Sequence, residues 1–282
     1  MFSRIGQTIY ENEAVAKTSD FTVGLEIEMQ RIDGSGQLSQ EPYPAGIGDE
    51  QTNPWITNDF LETMSETVTP SAKHSLDAIH YLYRLNNCLR SALAPGEMLW
   101  PLSMPPRLPK DKRTLVLAKM GPKKEAYLQE WAKRHGYSQG TPCGAHISLG
   151  IDQHVIELVL EKFSSQFADE RAVRNYLYTV VAQGFVRYRW LLTYLFGASP
   201  VAEKGYFEKG AELARPVRSI RQSRYGFGTK FTGDYRSLAA YVDRIEEGVK
   251  QGILTSDYEF HGPVRFKGHP DLKKLANSGV EY

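Results

Sequence analysis

Alternating apolar and acidic positions form the clearest pattern of the chain, in the run 23–32. Glu26 and Glu28 alternate there with three apolar residues, Leu25, Ile27 and Met29. Successive side chains of a strand point to opposite faces, so the run predicts a strand with both carboxylates on one face. Neighbouring like charges repel each other, and a bound cation, for oxygen ligands a hard ion such as Mg²⁺, removes that repulsion. The alternative is a solvated surface strand, which is favoured for an isolated Glu-x-Glu pattern.

The rest of the pattern predicts helices, loops and short strands of uneven length. A turn signal at 33–36 is followed by a loop rich in proline and glycine at 39–55 and by an extended run at 56–69. Ser71 can cap the next helix, which Pro95-Gly96 ends. Further elements are predicted at 122–135, 152–166, 169–196 and 235–251 (helices) and 144–150 (strand). Because strands and helices do not alternate regularly, we predict an α+β fold with a mainly antiparallel sheet, as a single domain over 1–282.

Composition limits the class of protein. The 282 residues are 41% hydrophobic and 24% charged, which is ordinary for a globular protein, and the net charge of +1 gives no argument for a nucleic-acid or membrane partner. The basic run 110–124 is predicted to be a solvated loop and helix start. The most apolar stretch, 180–196, is interrupted by Gln183, Arg187 and Arg189, which favours a buried helix over a membrane span. Two cysteines are too few for a disulfide framework, so we expect a cytoplasmic protein.

Acidic side chains recur on the second extended run, and a histidine lies on the later strand. Asp59, Glu62 and Glu66 are on the run 56–69, and His146 is on the strand 144–150. A lone histidine is usually a structural residue, but a carboxylate-rich group with one histidine suits Mg²⁺ or Mn²⁺ better than structural zinc. Such ions commonly bridge phosphate oxygens, so the set suggests a nucleotide.

Other chemical motifs are weaker. The sequence has no Gly-x-x-x-x-Gly-Lys-Ser/Thr loop, and the glycine-rich stretch 226–230 has the wrong spacing for one. Cys143 and His146 would point to opposite faces of a strand, which argues against a cysteine nucleophile. Arginines at every third position from Arg218 to Arg224 could bind a carboxylate or phosphate through their guanidinium forks, or form a solvated basic face.

Five segments carry a longer pattern, in this order: 24–28 (Gly-Leu-Glu-Ile-Glu), 55–60 (Trp-Ile-Thr-Asn-Asp-Phe), 66–70 (Glu-Thr-Val-Thr-Pro), 99–105 (Leu-Trp-Pro-Leu-Ser-Met-Pro) and 194–200 (Tyr-Leu-Phe-Gly-Ala-Ser-Pro). Together they resemble the bacterial glutamate-cysteine ligases, especially the catalytic module of the fused glutamate-cysteine ligase/glutathione synthetase proteins. The fourth and fifth segments are highly specific, whereas Glu-x-Glu is not. The resemblance favours the metal interpretation of Glu26 and Glu28.

The resemblance implies a curved, mainly antiparallel sheet wrapped by helices, similar to glutamine synthetase. It also implies that the γ-phosphoryl group of ATP passes to the side-chain carboxylate of glutamate, and that the amine of cysteine displaces phosphate to give γ-glutamylcysteine, the first step of glutathione biosynthesis. Arg221 would hold the cysteine carboxylate. The other implied roles are metal ligands (Glu26, Glu28, Asp59, Glu66, His146), amino-acid pocket (Phe60, Tyr127, Phe227, His261) and nucleotide contacts (Arg265, Lys267). A glutathione synthetase module in the intact protein would also fit.

The chain departs from the family pattern at several positions. Gly140 and Leu128 stand where the family commonly has glutamine and arginine, and Phe227 and His261 stand where tyrosines are expected. Around His146 the usual Ser-Gly-(Ile/Val)-His-Tyr-Asn is replaced by Cys-Gly-Ala-His-Ile-Ser. These differences leave open a ligase with another amine acceptor, or a non-catalytic relative that binds nucleotide or glutamate.

The last four residues, 279–282, resemble the start of the family segment Gly-(Ile/Val)-Glu-Tyr-(Leu/Ile)-Glu-(Leu/Val)-Arg. That segment supplies a further metal-binding glutamate and a substrate-binding arginine. We therefore expect a fold that is incomplete at the C-terminus, a chain truncated within the catalytic domain and lacking a central strand, with weak activity or none by itself.

Overall fold

A long central strand, β1 (Phe21–Ile32), organises the sheet. β3 (Met64–Val68) pairs with one edge of β1, while β5 (Ala145–Ile151) and the short β4 (Met98–Leu99) pair with the other. β2 (Ile56–Asn58) pairs with the outer edge of β3. All four pairings are antiparallel. The prediction of an α+β fold with a mainly antiparallel sheet is therefore confirmed.

The computed structural model describes residues 3–12, 21–197, 199–207, 217–221 and 233–251. The helices of this part of the chain are α1 (Arg4–Glu11), α2 (Ser75–Ala92), α3 (Pro122–His135), α4 (Gln153–Lys162), α5 (Glu170–Phe196) and α6 (Leu238–Lys250). No helix in these ranges is both long enough and apolar enough to cross a membrane. The predicted single domain over 1–282 stays a prediction.

Local sequence explains where several helices begin. Asp152, Asp169 and Ser237 accept hydrogen bonds from the free backbone N–H groups that start α4, α5 and α6. Pro122 occupies the first turn of α3, where its missing N–H is not needed. Gly136 ends the same helix with φ 90°, a conformation that glycine adopts without strain.

The pairing register gives the two faces of the sheet different chemistry. Glu28 lies opposite Glu66 across β1 and β3, and Glu26 lies opposite His146 across β1 and β5. The other face is covered in part by α2, whose Asn86 lies within hydrogen-bond distance (3.3 Å) of Thr67 of β3. The acidic residues of β1 and β3 and the histidine of β5 therefore lie on the face away from α2.

Two groups of buried side chains support this arrangement. One packs around the turn after β2 and against α3, and it includes Phe60, Leu61, Met64, Leu128 and Cys143. The second lies between α1, α4 and α5; its members include Ile5, Ile151, Ile156, Val159 and Val173. The first group forms one side of the acidic face.

Three sequence predictions are wrong in detail. The run 56–69 is not one strand but a hairpin, because its turn is held by the buried Arg31, whose backbone N–H and guanidinium donate to the carbonyls of Thr63 and Glu62. Ser71 does not cap a helix, since the next residue, Ala72, pairs with Val23 of β1 and α2 starts only at Ser75.

The third concerns the predicted buried helix at 180–196. Phe185, Trp190 and Phe196 of α5 remain 56%, 63% and 72% exposed. Because α5 packs on α4 mainly through its first half, where Val173 and Leu177 are buried, its second half keeps large apolar side chains on the surface. Helix α3 and strand β5 match their predicted positions to within one residue.

Candidate active site

Three of the predicted metal ligands converge on the acidic face of the sheet. Glu26, Glu66 and His146 each offer one ligand atom, and these atoms all lie within 4.8 Å of one another. His146 Nδ1 is 3.1 Å from Glu26 Oε2, because the two residues are register partners on β1 and β5. A cross-strand pair that shares a face is the closest approach that a sheet provides. The structure therefore brings together residues that are 120 positions apart.

Glu28 lies next to these three residues, and the four together form the acidic group. The side chain of Glu28 is only 4% exposed, its Oε2 accepts a hydrogen bond of 2.6 Å from the backbone N–H of Gly144, and its Oε1 lies 3.8 Å from His146 Nε2. Arg221 Nη1 lies 3.6 Å from Glu28 Oε2 and donates to the carbonyl of Pro142 at 2.9 Å. This burial excludes the alternative of a solvated surface strand for Glu28.

Gly144 leaves the space in which these groups meet. A Cβ atom at this position would lie 2.7 Å from His146 Nε2 and 2.9 Å from Arg221 Nη1. Both distances are shorter than normal van der Waals contact, so any other residue would displace the imidazole or the guanidinium. The glycine that precedes His146 by two positions is therefore a spatial requirement of the site.

Two carboxylates of the acidic group have raised pKa values, because they are buried close to other carboxylates. Burial, together with the nearby charges of Asp59, Glu28 and Glu26, raises the pKa of Glu66 to about 7, while Lys124 opposes the shift. Burial likewise raises the pKa of Glu28, with the charge of Asp59 as the next cause. Both shifts arise because several carboxylates share a small and partly desolvated volume. A cation in that volume would stabilise their charged forms.

Asp59 lies directly after β2 and borders a cavity beside the acidic group. This cavity has a volume of about 500 Å³. Its walls include Phe60, Tyr127, Arg221 and Asp59, all predicted from the sequence to contact metal or substrate. The Phe60 ring packs edge-on against Trp131, with 5.1 Å between ring centroids. The cavity therefore joins an apolar wall to a charged end next to the acidic group.

A second, smaller cavity of about 280 Å³ lies further along β1, where Glu26 forms part of its wall. Small side chains border it, among them Thr22, Gly24, Ser148 and Gly150. The largest of the three cavities, about 810 Å³ and between the loops 35–42 and 107–119, contains none of the residues to which the family resemblance assigns a role. The cavity that contains the predicted substrate residues is therefore not the largest one.

Comparison with known proteins agrees with these observations. The sequence model of the glutamate-cysteine ligase family matches residues 7–262. The chain belongs to the glutamate-cysteine ligase family. The glutathione biosynthesis bifunctional protein GshAB of Streptococcus thermophilus is 34% identical over 281 residues, which cover 99% of this chain and 36% of that protein. The glutamate-cysteine ligase of Clostridium acetobutylicum is 32% identical over 94% of this chain and 65% of its own length.

A solved structure supports the same assignment. The bifunctional glutathione synthetase of Pasteurella multocida superimposes with a TM-score of 0.78 at 30% identity, over 93% of this chain and 34% of that one. The chain thus spans about a third of the length of its bifunctional relatives. The resemblance to glutamate-cysteine ligases found in the sequence is confirmed, while the roles of individual site residues stay predictions.

Several predictions for this family member lie outside the described residues: Phe227, His261, Arg265, Lys267 and the segment 279–282. Glu62, considered with the acids of the extended run, does not join the acidic group. Its carboxylate accepts from the backbone N–H groups of Tyr43 and Lys119 at 3.3 Å each, because the hairpin turn points it the other way. Cys143 is buried in the apolar group, and this burial raises the pKa of its thiol, which argues further against a nucleophile.

Five residues of the 500 Å³ cavity were not predicted: Lys124, Trp131, Gln139, Pro142 and Tyr206. Lys124 and Trp131 precede and follow Tyr127 by one helical turn on the predicted helix 122–135, so the helical period could have identified them. Gln139 immediately precedes Gly140, where the family commonly has glutamine. Its Oε1 is buried and has no hydrogen-bond partner among the described residues. Tyr206 has no comparable sequence signal.

Proposed function

We propose that this chain takes part in the ATP- and Mg²⁺-dependent ligation of the γ-carboxylate of L-glutamate to the amine of L-cysteine. The product would be γ-glutamylcysteine, as in the first step of glutathione biosynthesis. Membership of the glutamate-cysteine ligase family supports this reaction. The observation that carries it is the convergence of Glu26, Glu66 and His146 within 4.8 Å beside a cavity that contains Arg221.

The donor atoms of the acidic group fit a hard divalent cation. Glu26, Glu66 and His146 would hold it, with Glu28 and Asp59 as nearby carboxylates. Oxygen ligands dominate the set, which is the preference of Mg²⁺ and Mn²⁺. A bound ion of this kind would neutralise charge on phosphate oxygens during phosphoryl transfer. Burial first, and repulsion between neighbouring carboxylates second, raise the pKa values of Glu28 and Glu66, and a cation would offset both effects.

The 500 Å³ cavity is the proposed amino-acid pocket. Phe60 and Tyr127 form its walls, and their rings exclude water from the reacting carboxylate. Exclusion of water matters because an acyl phosphate would otherwise hydrolyse before an amine reached it. Arg221 is proposed to hold the carboxylate of the acceptor amino acid, a role that suits the fixed donors of a guanidinium. Its contacts with Pro142 and Glu28 keep the side chain in place.

The 280 Å³ cavity is the proposed position of the nucleotide. It shares Glu26 with the acidic group and is bordered by the first half of β1 and by β5, whereas Arg221 of the amino-acid pocket lies beside Glu28. A cation held by Glu26, Glu66 and His146 would supply charge neutralisation at the phosphate oxygens, while the carboxylate oxygen of the acceptor attacks the phosphorus directly.

Binding of Mn²⁺ and glutamate to the chain tests the proposal. Mn²⁺ affinity is measured from the electron paramagnetic resonance signal of the free ion, and glutamate affinity by calorimetry with Mn²⁺ present. We expect Glu66→Gln to weaken Mn²⁺ binding about tenfold or more, since a charged ligand becomes neutral. Glu161→Gln, on the exposed part of α4, serves as the matched control because its carboxylate contacts only the neighbouring Lys162 among described residues.

A turnover assay adds the reaction itself. ADP release is followed with glutamate and a panel of amines, including cysteine. A preference for another amine over cysteine would keep the reaction class and change the acceptor. ADP release that needs neither glutamate nor a divalent ion would contradict the proposal, as would unchanged Mn²⁺ affinity in Glu66→Gln.

A further inference from the structure

The amino-acid pocket contains a cation that no part of the proposed reaction has yet used. Lys124 lines the 500 Å³ cavity together with Tyr127, Leu128 and Trp131. These four positions of α3 are spaced by three and four residues, so they form one face of the helix. The side chain of Lys124 is only 21% exposed. An ammonium group is therefore directed at the pocket instead of at bulk solvent.

Helix stability does not account for this lysine. Lys123 and Lys124 both stand in the first turn of α3, where the positive end of the helix dipole disfavours cations. Of the two, Lys123 is exposed, and only Lys124 lines the cavity. The chain thus offers a pair of adjacent lysines with the same charge and helical position but different access to the pocket.

The contact of Lys124 with Asp59 leaves its ammonium available for a substrate. Lys124 Nζ lies 3.3 Å from Asp59 Oδ1. Asp59 is 36% exposed at its side chain and faces the acidic group, where its charge raises the pKa of both Glu28 and Glu66. A divalent ion in that group would compete with the ammonium for the Asp59 carboxylate, since two cations repel each other. Lys124 would then turn its donors towards the cavity.

Arg221, the other cation among the described residues of the cavity wall, is held differently. It donates to the backbone carbonyl of Pro142 and lies 3.6 Å from Glu28, so it is fixed at the end of the cavity next to the acidic group. Lys124 has a flexible four-carbon stem and three donors, which suits the capture of a second anionic group. A substrate that carries two carboxylates can therefore place one at the acidic group and the other at Lys124.

We propose that Lys124 binds the α-carboxylate of the glutamate substrate and that Asp59 holds the lysine in position until the metal ion binds. This inference rests on the proposed function, which places the γ-carboxylate at the acidic group. It makes Lys124 a determinant of specificity: the pocket selects glutamate over 4-aminobutyrate, which keeps the amine and the reacting carboxylate but lacks the α-carboxylate.

Binding of both compounds to three forms of the chain tests the proposal: the unaltered protein, Lys124→Met and the control Lys123→Met. Calorimetry with saturating Mn²⁺ gives affinities for glutamate and 4-aminobutyrate. Lys124→Met is expected to lose about 10- to 100-fold in glutamate affinity, the range for a charge-assisted hydrogen bond. Its affinity for 4-aminobutyrate should stay within about twofold. Lys123→Met should change neither affinity.

Mn²⁺ affinity without substrate supplies an independent readout. Because Lys124→Met removes a competitor for Asp59, its Mn²⁺ affinity should rise, whereas a purely structural role would lower it or leave it unchanged. Lys124→Gln, which retains hydrogen-bonding groups, is a second variant if the methionine lowers the melting temperature. An unchanged preference for glutamate over 4-aminobutyrate in both variants would overturn the proposal.

Failure of the proposed function gives a different result. If the unaltered chain binds no Mn²⁺, the metal site and the proposed ligase reaction are contradicted, and the role of Lys124 falls with them. If the unaltered chain binds Mn²⁺ but does not distinguish glutamate from 4-aminobutyrate, only the role of Lys124 is overturned.

Discussion

Glu26 and His146 are direct partners across two antiparallel strands, with 3.1 Å between Oε2 and Nδ1. This pair fixes the imidazole over the acidic group from the β5 side, and Glu66 approaches from β3 on the other side of β1. Ligands on three hydrogen-bonded strands are held by the sheet itself. Such a site needs little rearrangement to take up an ion, which favours affinity.

Removal of the imidazole should therefore weaken metal binding without unfolding the chain. His146 is 44% exposed at its side chain, so His146→Ala creates no buried cavity. We expect a loss of about 10- to 100-fold in Mn²⁺ affinity, measured by electron paramagnetic resonance. His154→Ala is the control, since His154 is 69% exposed at its side chain and contacts Asp152 at the start of α4. Equal Mn²⁺ affinities for the two variants would exclude His146 as a ligand.

The sequence predicts which residues of a strand share a face, but it does not predict which strands pair with each other. The two-residue period placed Glu26 and Glu28 on one face, and the structure agrees. The hairpin between β2 and β3 was missed because its turn, 59–63, contains neither glycine nor proline. The turn is held by Arg31, a contact between distant segments that no local pattern reveals. For this reason Asp59 and Glu62, three residues apart, point to different surroundings.

The residues of the amino-acid pocket, likewise, can be predicted from the sequence only where they follow a local pattern. The helical period on α3 was visible, so Lys124 and Trp131 could have been derived from Tyr127. The closing of the 500 Å³ cavity by Tyr206 and Arg221 depends on how segments beyond α5 return to the sheet. That return is set by tertiary packing, including the parallel bridge between Ser199 and Ser219, and not by local propensity.

Protonation of Glu66 should make the stability of the metal-free chain depend on pH. Its pKa is about 7 in the folded protein against 4.5 in the unfolded chain, so the folded state binds more protons between these values. Stability should therefore be highest below about pH 5 for this group and fall as pH rises through 7. Partial contact with solvent limits the effect to about 1–2 kcal/mol.

Urea unfolding at pH 5.0, 6.0, 7.0 and 8.0 measures this slope, with chelator present. Glu66→Gln should flatten the curve, because glutamine does not titrate. Saturating Mn²⁺ should reverse the trend, since the ion binds the deprotonated carboxylate and its affinity rises with pH. An identical slope for the unaltered chain and Glu66→Gln would assign the dependence to other groups.

The buried pair of Arg31 and Glu97 should contribute strongly to stability. Arg31 Nη1 lies 2.7 Å from Glu97 Oε1, with 0% and 3% of the two side chains exposed. The guanidinium also donates to the carbonyls of Glu41, Pro42 and Glu62, so it connects the loop after β1 with the β2–β3 hairpin.

Glu97→Ala leaves the guanidinium buried without its carboxylate, and we expect a loss of about 3–5 kcal/mol in the free energy of unfolding. Glu161→Ala, which breaks an exposed ion pair, should cost less than about 1 kcal/mol. Chemical denaturation of both variants gives the comparison. If the two losses were similar, the buried pair would not hold the hairpin.

A side chain at Gly140 should disturb the amino-acid pocket through Phe60. A Cβ atom there would overlap Phe60 Cε1, and Phe60 is only 5% exposed and packed against Trp131. Gly140→Ala must therefore displace an aromatic ring that forms the pocket wall, at a cost of about 1–3 kcal/mol in stability. Glutamate affinity should fall in parallel, because Phe60 leaves its position in the cavity.

A second glycine provides the control for backbone entropy. Gly184 lies inside α5, and a Cβ there meets no atom within 4 Å, so Gly184→Ala should stabilise the chain by about 0.5–1 kcal/mol.

A smaller residue at position 60 should relieve the clash between Gly140→Ala and Phe60, so the double variant Phe60→Leu with Gly140→Ala should lose less stability than the two single losses added together. Chemical denaturation of the unaltered chain, the two single variants and the double variant measures this coupling. Strict additivity would show that Gly140 and Phe60 do not contact each other in the folded protein.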